Sequence, residues 1–151
     1  LQSAMRLLRT APHVWRAWRA VRAHADPRAM LAAVEPAAPS PRRVPAELAV
    51  ADVRRCVALL RRLRPALAEY ETACLLQSLA LYRVLRRQGE AVRFVSGVRR
   101  DGASLRGHAW VERKGHPFPT GEELDMMRDY RELFSGPPGT PSRSPRAPAR
   151  S

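Results

Sequence analysis

Apolar side chains recur at helical spacing through the first half of the chain and in tighter alternation through the second. Val53, Cys56, Val57, Leu60, Leu63 and Leu67 fall on one face of a helix. Pro45 and Glu47 suggest its start, and Pro65 kinks or ends it. The run from Cys74 to Leu85 is different in kind. Leu75, Leu76, Leu79, Ala80, Leu81, Tyr82, Val84 and Leu85 cover most of its circumference, so this helix is expected to be buried on several sides, with Gly89 as its stop. Ala91 to Arg99 then reads as a strand, Asp101-Gly102 as a turn, and Arg106 to Arg113 as a second strand. Lys114-Gly115 makes another turn, and His116 to Thr120 forms a short third strand broken by Pro117 and Pro119. A last short helix is expected over Glu122 to Phe134. Helices first and a small antiparallel sheet afterwards predict an α+β domain.

The two ends differ from this middle. Leu1 to Ala25 holds Arg6, Arg9, Arg16, Arg19 and Arg22 with no acidic residue, and Leu8, Trp15, Trp18 and Val21 at nearly helical spacing. A packed helix whose tryptophans reach the core is the expectation; a transit peptide or an interfacial helix shares the composition. The stretch lacks the apolar region and cleavage site of a secretory signal. Ser135 to Ser151 is Pro, Ser and Arg with almost no apolar content and reads as disordered. The predicted organisation is a basic helical segment over 1–35, a main domain over 36–134 that opens on the linker Pro36 to Pro41, and a basic tail over 135–151.

At 151 residues and 45% hydrophobic content the chain is expected to form one globular domain. Its formal charge of +13 implies an anionic partner: nucleic acid, lipid headgroups, or an acidic peptide or protein. The zinc-type Cys/His cluster, the phosphate-binding Gly loop and the RNA-binding aromatic motif are all missing from the sequence, so no cofactor and no nucleic acid is expected. No apolar run approaches the roughly 18 residues of a membrane span. Two cysteines make no disulfide framework, which favours a reduced, cytoplasmic setting.

Chemistry concentrates on Cys74 and His108. A thiol at a helix N-terminus feels the positive end of the helix dipole, which favours the thiolate. A histidine presented from a rigid strand can take and return the proton. The two are 34 residues apart, enough for a helix, a turn and a hairpin. Cys56, on an apolar helix face, is expected to be a buried structural thiol. His13, His24 and His116 have no such partner and are expected at the surface.

A Cys at a helix start followed by two strands with His at the head of the second is the layout of papain-like and transglutaminase-like folds. Ala73 to Tyr82, with Leu85-Arg86-Arg87-Gln88-Gly89, resembles the leader peptidases of lasso peptide biosynthesis, the transglutaminase-like B proteins. Phe94 to Val98, Gly107 to Glu112 and Asp129 to Leu133 match as well, so the resemblance runs from about Val53 to Leu133. It implies a cysteine peptidase that removes the leader from a ribosomally made precursor peptide. It also implies the split form, working with a separate leader-recognition protein and beside a lasso cyclase.

Two departures stand out. A proline usual two residues after the nucleophile is Leu76 here. The family's third member is an Asp about a dozen residues after the His, where this chain has Thr120. Glu122 follows two positions later and is the candidate orienting acid, with Glu123 and Asp125 close behind. The alternative reading is that Glu122 and Glu123 supply negative charge to the first turn of the last helix. Glu112 shares the His108 face of its strand but lies about 13 Å away at strand spacing, too far to serve. Two other readings remain open: an inactive transglutaminase-like scaffold, supported by Thr120, and a basic nucleic-acid-binding protein, supported by charge alone.

Overall fold

The computed structural model describes residues 2–40, 42–64, 70–118 and 129–137. Four helices precede a four-stranded antiparallel sheet: α1 (Gln2–Ala23), α2 (Pro27–Val34), α3 (Ala46–Leu63), α4 (Tyr70–Arg87), β1 (Val92–Asp101), β2 (Ser104–Arg113), β3 (His116–Phe118) and β4 (Arg131–Gly136). The sheet order is β3-β2-β1-β4.

Local chemistry accounts for most of the boundaries. Asp26 caps α2 by accepting a hydrogen bond from the Arg28 N–H, and Pro27 occupies the first turn, where its missing N–H costs nothing. α3 ends at Leu63 because Arg64 precedes Pro65 and is driven out of the helical region, to φ −136° and ψ 85°. Beyond α4, Gly89 takes φ +81°. The Gly89 and Glu90 N–H groups reach back to the carbonyls of Arg86 and Leu85 at 2.9 and 3.1 Å, which closes the helix in a Schellman motif. Lys114 and Gly115 both adopt positive φ, as the tight hairpin between β2 and β3 requires.

α4 is the central rod. Leu76, Leu79, Ala80, Tyr82 and Leu85 have no exposed surface, and they pack with Val14, Ala17 and Trp18 of α1, Leu31 and Val34 of α2, Val53 and Val57 of α3, and Phe94, Ala109 and Val111 of the sheet. The basic first helix therefore shares one core with the rest. Trp18 reaches that core, whereas Trp15 stays half-exposed. Among the described residues no helix is long and apolar enough to cross a membrane.

β4 corrects the helix expected to reach Phe134. Arg131 to Phe134 alternate between exposed and half-buried positions, Phe134 packs 6.4 Å from Phe94, and Ser135 and Gly136 continue the strand rather than begin a tail. An edge of β1 with unpaired N–H and C=O groups outweighs a weak local helix pattern. Opposite Ser96 and Gly97 the register slips by one residue, a bulge that leaves Leu133 exposed.

Candidate active site

The alternation of β1 and β2 sorts side chains onto two faces. Phe94, Ala109 and Val111 face the helices, while Val95 and Trp110 form a second apolar cluster with Tyr130 on the far face. His108 belongs to that far face, two residues before Trp110. How, then, does it meet a thiol on α4?

The meeting takes place at a strand edge. β3 pairs only with Val111 to Arg113 of β2, so upstream of Val111 the outer edge of β2 has no strand neighbour among the described residues. α4 lies along that edge and supplies side chains in place of a strand. Cys74 Sγ accepts from the Ala109 N–H at 3.2 Å and lies 3.1 Å from the Ala109 carbonyl. Ser78, one helical turn further on, donates its hydroxyl to the same carbonyl at 2.8 Å. His108 reaches round the edge to bring its Nδ1 to 2.8 Å from the sulfur.

The chemistry follows from these contacts. As a thiolate, Cys74 receives two donors, the Ala109 N–H and a protonated His108 Nδ1. As a thiol, it has His108 Nδ1 as a base within proton-transfer distance. With Nδ1 on the sulfur, Nε2 is the nitrogen an orienting acid would address. The ring is held laterally by Trp110, stacked at 6.0 Å, and by Tyr130 at 5.3 Å, with Arg99 over the Tyr130 ring. Trp110 is fixed in turn by its Nε1–H, which donates to Glu112, and Glu112 is bound by Arg93 at 2.7 Å. Glu112 thus supports the aromatic wall and is not the partner of the imidazole.

Gly97 lies opposite His108 in the β1–β2 register. A Cβ there would fall 2.8 Å from the Arg131 carbonyl and 3.1 Å from the tip of Trp110, so only glycine lets the wall close beside the histidine.

Each sequence expectation can now be placed. Cys74 and His108 are brought together. Glu122, with Thr120, Glu123 and Asp125, lies outside the described residues. Cys56 is buried on α3, as its apolar face predicts. His24 and His116 are exposed, but His13 is half-buried against α4, a correction to its expected surface position. Cys74 was expected to open its helix. It stands instead four residues after Tyr70, in the second turn, where the backbone N–H is already committed to the helix ladder and the dipole effect has faded. Stabilisation of the thiolate therefore rests on His108 and the Ala109 N–H. Ser78 and Tyr130 received no role from the sequence. The four-residue spacing from Cys74 was the signal available for Ser78; Tyr130 lay within the matching segment Asp129 to Leu133, but its place beside His108 depends on where β4 pairs.

Among known proteins, the family model described as the transglutaminase-like superfamily matches residues 8–135. No curated protein and no solved structure matches the chain.

Proposed function

Since the chain belongs to the transglutaminase-like superfamily, we propose that it is a cysteine peptidase that removes the leader from a ribosomally synthesised lasso precursor peptide. The observation that carries the peptidase reading is the 2.8 Å approach of Cys74 Sγ to His108 Nδ1 at the edge of β2. The choice of substrate rests on the motifs Ala73 to Tyr82 and Gly107 to Glu112, which resemble those of lasso leader peptidases.

In this reading His108 draws the thiol proton to Nδ1, and the Cys74 sulfur attacks the scissile carbonyl carbon. The tetrahedral adduct collapses as the protonated imidazole gives its proton to the departing amine, leaving a thioester on Cys74. Water then enters beside His108, loses a proton to Nδ1 and releases the carboxylic acid, and the proton returns to the sulfur. Every step uses the one imidazole nitrogen that faces the sulfur. Glu122 is the proposed acid on Nε2.

A separate leader-recognition protein is proposed to deliver the substrate, adding the leader as a strand to a sheet edge, and a lasso cyclase to consume the released core. The test is incubation of the chain with a candidate precursor, with and without such a recognition protein, followed by mass analysis. Cleavage at one leader–core bond is expected. Cys74→Ala should abolish it while leaving the fold unchanged by circular dichroism. Persistent cleavage by that variant would exclude the peptidase reading, and full-rate cleavage without the recognition protein would exclude the partner.

A further inference from the structure

The far end of α4 carries a second constellation. Arg83 is nine residues after Cys74, which places it on the opposite face of the helix and about 14 Å further along the axis. Arg83 and Arg87 line a cleft of about 520 Å3 there, together with Arg6, Arg9 and Arg16 of α1 and Arg42 from the segment before α3. On α1 the three arginines share one face with Thr10 and His13. Asp52 of α3 is the single acidic residue in the lining among the described residues.

A merely solvated basic face would leave all its guanidinium groups in water. Here Arg9, Arg16, Arg42 and Arg87 are exposed at the rim, but charged groups are also buried beneath them. Arg83 is 7% exposed and Asp52 2%. Arg6 Nε, His13 Nδ1, Arg83 Nε and Asp52 Oδ1 are all buried without a hydrogen-bond partner, and all four side chains line the cleft. The Arg6–Asp52 ion pair, at 3.2 Å, leaves Arg6 Nε misdirected for a hydrogen bond. Arg83 uses Nη1 on the Val34 carbonyl at 2.6 Å, so its Nε remains aimed elsewhere. His13 is pushed down to about 4 by burial, with the positive charges of Arg83 and Arg87 adding to it. Burial and the charges of Arg16 and Arg87 likewise push Arg83 downward. Mutually repelling cations with unused donors, gathered in a concavity, are the recognition chemistry of a multiply charged oxyanion.

We propose that this cleft binds a phosphate-bearing ligand at a site separate from Cys74. A volume of about 520 Å3 lies in the range of small-molecule sites rather than of flat docking surfaces. Rim guanidinium groups of Arg9, Arg16, Arg42 and Arg87 grip the phosphate oxygens, and the buried Arg83 adds its positive charge from below. Asp52 Oδ1 accepts from a ligand hydroxyl.

The experiment is calorimetric titration of the full chain with inorganic pyrophosphate at about 0.15 M salt, where exposed charges are largely screened. Saturable one-to-one binding is expected. The double variant R9Q/R87Q should weaken it about tenfold or more, while the charge-matched control R62Q/R100Q, on exposed residues away from the cleft, stays within about twofold of wild type. Pyrophosphate should also raise the His13 pKa from about 4 towards 6.5, read from its imidazole resonances, because a bound anion offsets the two arginines. Vesicles of phosphatidylcholine with phosphatidic acid separate the sources: capture lost only in R9Q/R87Q assigns a lipid headgroup, and binding of pyrophosphate alone assigns a free ligand. Equal weakening in both double variants, an unmoved His13, or tighter binding of an acidic peptide than of pyrophosphate would overturn the proposal. Cys74→Ala should bind pyrophosphate unchanged, so this site and the peptidase reading stand or fall separately.

Discussion

Cys56 and Cys74 are the same residue on two neighbouring helices, yet they sit in opposite chemical surroundings. Cys56 is 8% exposed on α3, and its thiol donates to the Leu7 carbonyl at 3.7 Å. Burial raises its pKa, and the negative charge of Asp52 raises it further. Cys74 is half-buried; beside the Ala109 carbonyl at 3.1 Å it receives the Ala109 N–H and meets the His108 imidazole, two contacts that the Cys56 sulfur lacks among those described. Carbonyls and carboxylates around a sulfur favour S–H, whereas N–H donors favour the anion. Reactivity here is decided by what the neighbouring strand or helix presents, not by which helix carries the thiol.

The largest expected effect comes from removing the imidazole. His108→Gln should lower the rate of precursor cleavage by about 10²–10⁴-fold. The same variant should erase the preference of iodoacetamide for Cys74 over Cys56 at neutral pH, as read by peptide mapping. In the wild type, Cys56 should be labelled only above the ordinary thiol range or after unfolding, because its pKa is raised. If Cys56 is labelled as fast as Cys74 in the native protein, the contrast between the two thiols fails.

Gly97→Ala tests the wall behind the histidine. The added Cβ must displace Trp110 or the Arg131 carbonyl, and a shift of the order of 1 Å at His108 should cost up to about 10²-fold in rate. The thermal midpoint should fall only modestly. Wild-type activity in this variant would show that the ring does not depend on the wall.

Ser78→Ala removes the hydroxyl that holds the Ala109 carbonyl beside α4. With only the Cys74 thiol left near that acceptor, the loss should cost about 1 kcal/mol of stability in urea unfolding. Ser78→Thr, which keeps a hydroxyl, should recover part of it.

A last effect, spread over a range of pH, concerns His13 of α1. His13 has a folded pKa of about 4 against 6.5 when unfolded. Between those values the unfolded chain binds more protons, so this contribution to stability is complete above pH 6.5 and is lost as the pH falls towards 4. His13→Asn should flatten that part of the dependence of the urea midpoint on pH.

Much of the site was legible in the chain because it is local. A helix stopped by Gly89 and a hairpin closed at Asp101-Gly102 leave few ways to arrange Cys74 and His108, which are 34 residues apart. The Lys114-Gly115 turn and the buried face of α3 were readable for the same reason: turn chemistry and period act over a few residues. Other features were not. The strand Arg131–Gly136 forms because β1 offers an unpaired edge, and nothing within the segment encodes that edge.

Sequence alone therefore determined the order of elements, the two chemical groups and the excess of positive charge, since each is a property of short stretches of chain. Tertiary structure decided that the imidazole reaches its sulfur round the outer edge of β2, that Ser78 and Ala109 join them, and that six arginines from three segments converge on one cleft. The physical reason is distance: hydrogen bonding, burial and charge repulsion act between groups close in space, and residues far apart in the chain become neighbours only when the core closes around α4.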